Sequence, residues 1–162
     1  MREAIGVILA ALILAAMASA MGQGVDGPNP QPAANPPEET VTGRFANVDV
    51  YIDSGNQPLA TYQFELKVRN ADAAIVGVES GDIKGFQDPP FYDPAALSEN
   101  RIIIGAYDTG SDLPVGKICV ARVHLHLSGP GRPVYEVNVM TAGAADGSAI
   151  PARASVTEGE TR

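Results

Sequence analysis

The residues with the chemistry-bearing types are few and lie in the second half of the chain. Asp108-Thr109-Gly110 follows the apolar run "RIIIGAY". Two carboxylates that share a proton activate water for peptide hydrolysis, and an Asp-Thr-Gly turn at a strand end is one way to present such a carboxylate. A chain this short would have to dimerise to supply the second Asp. It would also need a later strand ending in two apolar residues and Gly, crossing behind the turn. "LPVG" stands too close to Asp108, "VMTAG" has Thr and Ala in the wrong places, and "IIIG" comes before the motif. Asp, Thr, Gly and Ser are ordinary turn formers, so the segment is read as the turn that closes a strand.

His124-x-His126 places two imidazoles on one face of a strand. Two ligands can begin a zinc or copper site, but no Cys-x-x-Cys or His-rich partner supplies the rest, so both are read as solvent-facing beside Arg122. Asp108 and Asp112, with turn carbonyls, could hold calcium, although the Asp-x-Asp-x-Asp-Gly spacing is missing. Asp146-Gly147 is a turn signal. Cys119 is the single cysteine, so an intrachain disulfide is excluded. Its position in the strand alternation predicts a buried structural thiol on the core face. No nucleophile–base order, glycine-rich phosphate loop or carboxylate pair stands out. The expectation is a protein that is not an enzyme and carries no cofactor and no metal.

The elements that must position these residues are strands. "FANVDVYID" puts Ala46, Val48, Val50 and Ile52 on one face, and "SGNQP" then turns the chain. "ATYQFELKVRN" alternates Tyr62, Phe64, Leu66 and Val68 against Thr61, Gln63, Glu65, Lys67 and Arg69. "AAIVGVESGD" is a short strand, "FQDPPFYDPAAL" a proline-broken loop, and "RIIIGAYD" a strand of mixed burial. "KICVARVHLHL" is long, with Cys119, Ala121, Val123, Leu125 and Leu127 predicted to face the core. "PVYEVNVMT" and "ARASVTE" complete the set. Short one-faced strands separated by Gly, Pro and Asp turns predict an all-β sandwich or barrel.

The ends add a location. Residues 1–20 have a weakly positive start, an apolar run from Ile5 to Ala18 and the small-x-small site Ala18-Ser19-Ala20. This is the pattern of a secretory signal peptide. The competing reading is a retained membrane anchor, because Ile5 to Met21 is just long enough to span a bilayer. Residues 21–40, rich in Pro, Gly, Asn and Gln, read as a flexible linker. Residues 41–159 then form one domain of ordinary size. The expected location is secreted or extracytoplasmic, with tethering by residues 5–21 as the alternative; the segment engages the membrane at least during export. The net charge of −8 repels phosphate backbones and argues against nucleic acid.

The order of the strands resembles that of cohesin modules, from Arg44 to Gly159. "LATYQFELKVRNADAAIVGVESGD" is similar to the family's early aromatic-centred strand and turn. "RIIIGAYDTGS" is similar to its apolar strand and acidic-glycine loop. "LPVGKICVARVHLHLSGPG" and "VMTAGAADGSAIPARASVTEGE" resemble its long alternating strand and its final loop and strand. The resemblance implies a jelly-roll β-sandwich of about nine strands, preceded here by the N-terminal signal or anchor helix. It also implies a non-catalytic module that docks a partner protein, dockerin-like or other, on one sheet face. Strand alternation then selects Gln63, Glu65, Arg101, Ile103, Tyr107, Arg122 and His124 as the candidate partner-binding residues. The alternative function is a carbohydrate-binding module of the same sandwich fold, taking a polysaccharide. The chain has no Trp, so Tyr51, Phe91, Tyr92, Tyr107 and Tyr135 are the rings such a module would use.

Overall fold

The structure, a computed structural model, describes residues 43–81, 85–86 and 88–159. The expected signal or anchor helix and the whole 21–40 linker lie outside the described residues. Among the described residues no helix is long and apolar enough to cross a membrane.

Among the described residues eight strands form, and all neighbours are antiparallel. They are β1 (Arg44–Asp53), β2 (Thr61–Arg69), β3 (Asp72–Ser80), β4 (Phe91–Tyr92), β5 (Arg101–Tyr107), β6 (Lys117–Ser128), β7 (Val134–Gly143) and β8 (Arg153–Glu158). One four-stranded sheet has the order β3-β6-β1-β8, the other β4-β5-β2-β7. Every consecutive pair except β4–β5 belongs to different sheets, so each sheet is assembled from strands distant in the chain.

The alternating sequence explains the layering. Val48, Val50 and Ile52 of β1 and Phe64, Leu66 and Val68 of β2 are buried, and all belong to a single hydrophobic cluster fed by both sheets. Loops contribute plugs that alternation does not reveal. Leu59, Phe86 and Ile150 are buried in the same cluster, and Phe86 meets the Tyr62 ring edge-on at 4.9 Å. The proline-broken stretch expected as plain loop contains β4 and a short 3-10 turn, Pro94–Ala96. Asp93 caps that turn by accepting from the Ala95 N–H at 2.9 Å, as an N-cap carboxylate does.

Cys119 departs from its expected place. Val50 pairs with Ala121 but Tyr51 pairs with Cys119, so Val120 is the extra residue of a β-bulge. A one-residue slip exchanges the two faces of a strand. Beyond the bulge Val120 and Ile118 enter the core cluster, while Cys119 shares the outer side of the sheet with Tyr51. It is buried all the same, at 8% exposure, but outside the core cluster. The bulge also aims the Val120 carbonyl inward. It accepts the Tyr62 hydroxyl at 3.0 Å, a bond that runs from one sheet to the other.

Candidate functional site

The outer face of the β4-β5-β2-β7 sheet gathers the exposed apolar and charged groups best suited to contact. In register, Tyr107 lies opposite Thr61, Ile103 opposite Glu65 and Arg101 opposite Lys67. Phe91 of β4 lies opposite Gly105. Because outward side chains recur at every second residue, β5 presents Arg101, Ile103, Gly105 and Tyr107 in one row. Phe91 and Tyr107 are each 66% exposed. Their rings are parallel within 5° with centroids 5.9 Å apart. Beside them is a groove of about 400 Å³, lined among others by Gln63, Phe91, Asp93, Arg101 and Ile103.

At the other end of the row stands a charge cluster. Glu65 accepts from Arg101 Nε at 2.5 Å and faces Lys67 Nζ at 2.7 Å. The hydrogen bonds from Lys67 and then Arg101 hold its carboxyl below the usual carboxylate range. Next to it Arg69 Nε meets Glu136 at 2.6 Å, both side chains exposed.

The seven residues expected to share one docking face are divided by the topology. Gln63, Glu65, Arg101, Ile103 and Tyr107 do come together. Arg122 and His124 are on β6, in the other sheet, so a single docking face cannot include them. Sequence alternation gives the face of a strand relative to its own sheet but not which sheet it joins. Arg122 also makes a fork with Asp49, 2.7 Å from Nε and 3.2 Å from Nη2. His124 Nε2 is 3.3 Å from Glu79 Oε1. The contact lacks the alignment of a hydrogen bond. His126 packs its ring on Phe45.

Of the five rings considered for sugar binding, only Phe91 and Tyr107 are exposed side by side. Tyr92 and Tyr135 pack against the core, and Tyr51 lies in the other sheet with Lys117 Nζ 4.8 Å above its ring. Phe91 was absent from the residues expected to dock a protein, because its two-residue strand has too few residues to show alternation.

Asp108 Oδ1 accepts from the Gly110 N–H at 2.7 Å, so the Asp-Thr-Gly segment is a self-closed turn at the end of β5. Asp146 serves Ser148 in the same way, through both its N–H and its hydroxyl. Among the described residues no group of three or more His, Cys, Asp or Glu is placed to hold a metal ion.

Comparison with protein-family models, curated proteins and solved structures gives no match for this chain.

Proposed function

We propose that this chain is an extracytoplasmic, non-catalytic protein-interaction module, cohesin-like in design, that docks a partner protein on the outer face of the β4-β5-β2-β7 sheet. The observation that carries the reading is the Phe91–Tyr107 pair. Two large rings, each two-thirds exposed, stand stacked at 5.9 Å beside Ile103 and an open groove. Exposed aromatic anchors with an aliphatic neighbour are what protein interfaces use as binding centres. The repeated crossing of the chain between sheets supports reading the two-sheet arrangement as a jelly-roll sandwich. The signal-like N-terminal sequence supports export, with the membrane as a tether if residues 5–21 are retained.

The test uses the full chain as bait against the envelope and secreted proteins of the producing cell, with and without calcium. A captured partner is then purified and titrated against native, Phe91→Ala and Ile103→Ala/Tyr107→Ala chains. A central aromatic anchor is worth about 2 kcal/mol or more, so each variant is expected to weaken binding by roughly thirtyfold. Calcium-dependent capture would point to a dockerin-type partner. Unchanged affinity in both variants would remove this face from the function.

The parallel rings favour one second reading. Flat aromatic surfaces that lie side by side also suit a sugar ring. Retention of the chain on an insoluble polysaccharide, lost in Phe91→Ala and Tyr107→Ala, would establish a carbohydrate-binding module instead.

A further inference from the structure

The charge cluster on this face is layered. The Glu65 side chain is only 15% exposed, whereas Arg101 above it is 52% exposed and Lys67 34%. One carboxylate thus lies beneath two cations, and the surface it supports presents positive charge to solvent. The neighbouring Arg69–Glu136 pair is balanced. Counted over the outward positions of β2, β5 and β7, Lys67, Arg69 and Arg101 stand against Glu65 and Glu136. The excess positive charge is therefore confined to the Arg101–Lys67 end, because Asp88, Asp93 and Asp108 line the pockets around Phe91 and Tyr107. The face is also amphipathic along its length: Arg101 and Tyr107 occupy the two ends of β5, six residues apart, or roughly 20 Å in an extended strand.

We propose that the partner segment for this face carries an apolar anchor for the Phe91–Tyr107 pair and, roughly 20 Å away, an acidic end for Arg101 and Lys67. This rests on the docking reading of the face given above. A carboxylate at that end joins two cations that share one internal counter-ion, so it completes a charge balance instead of breaking one. Repulsion from the acidic remainder of the chain is confined by screening to about 8–10 Å at physiological salt, whereas the local contact is direct.

The test pans a phage-displayed library of random 16-residue peptides on the full native chain, on Lys67→Gln/Arg101→Gln and on Phe91→Ala/Tyr107→Ala. The changed side chains are largely exposed, and matching thermal melts would show that each variant remains folded. Peptides selected by the native chain are expected to be at least threefold enriched in Asp and Glu over the input library, with an apolar residue in each. The Lys67→Gln/Arg101→Gln chain should lose that enrichment while still selecting apolar residues. Selection of neutral or basic peptides by the native chain would overturn the acidic partner. So would acid enrichment that survives in Lys67→Gln/Arg101→Gln. If such peptides no longer bind Phe91→Ala/Tyr107→Ala, the docking face itself would stand. Native-selected peptides that bind Phe91→Ala/Tyr107→Ala undiminished would sink the docking face as well. Self-association of the native chain through this face, seen by sedimentation and abolished in Phe91→Ala/Tyr107→Ala, would replace the acidic partner by a second copy.

Discussion

Tyr62 shows how one residue links the two sheets. Its ring packs on Phe64 and Phe86, and its hydroxyl donates to the Val120 carbonyl. Tyr62→Phe keeps the packing and leaves that carbonyl without this donor. The expected cost is about 1–2 kcal/mol, read as a lower urea midpoint with an unchanged slope; an unchanged midpoint would mean the bond adds nothing. Burial, and secondarily the nearby Cys119, pushes the Tyr62 phenol well above its usual value of 10. Burial and the charge of Glu158 push Tyr135 up to about 12. Raised folded-state values mean that the unfolded chain loses these protons first. Their contribution to stability is fully present below pH 10 and is lost as pH climbs from 10 through 12. Absorbance near 295 nm, read as the difference between the native chain and Tyr62→Phe, should show Tyr62 ionising only with alkaline unfolding. Ionisation of Tyr62 near pH 10 without loss of structure would contradict this.

At the scale of elements, the alternating pattern was sufficient for β1 and β2, whose buried positions are the ones their sequences predict. It was insufficient for β6, because a bulge exchanges the faces and no residue type marks Val120 as the extra one. Cys119 looked like a core residue for that reason. Its thiol is nevertheless covered, and Ellman's reagent is expected to reach it only when the chain unfolds. The two strands β6 and β8 should differ sharply in sensitivity. β6 lies inside its sheet and Leu125 is fully buried, so Leu125→Ala should cost about 2–5 kcal/mol. β8 is an edge strand and Val156 is half-buried, so Val156→Ala should cost about 1 kcal/mol. Equal losses in chemical denaturation would place the core elsewhere. The strand β4 escaped notice because two residues between prolines and Asp93 carry no periodicity. Only the ladder it makes with β5 defines it.

For the whole molecule, the decisive fact is that there are two outer faces. Both carry internal pairs, Arg122 with Asp49, His124 near Glu79 and Phe45 with His126 on one, and Glu65 with Arg101 and Lys67 and Arg69 with Glu136 on the other. Phe45 is as exposed as Phe91 and Tyr107, but it tilts at 55° to the His126 ring, whereas Phe91 and Tyr107 lie parallel within 5° on the second face. The proposed docking therefore predicts an asymmetry. Arg122→Ala/His124→Ala should leave the affinity for a captured partner within about twofold, because surface changes remote from an interface are near neutral, whereas Tyr107→Ala should reduce it strongly. Equal losses from both would show that contact spans two faces, or that the fold has shifted.

The sequence by itself determined the all-β character of the domain, the inner residues of β1 and β2, the turn at Asp108 and the acidic balance. These follow from local chemistry: period-two burial, turn-forming side chains and counted charges. Tertiary structure decided what local chemistry cannot reach. It sorted the strands between two sheets, which separated Arg122 and His124 from Gln63, Glu65, Arg101, Ile103 and Tyr107. It placed the Val120 bulge, which turned Cys119 outward. It also brought Phe91 beside Tyr107 across the β4–β5 ladder. Each of these depends on which distant strands pair and in what register, and that is fixed by how both sheets close over one shared core.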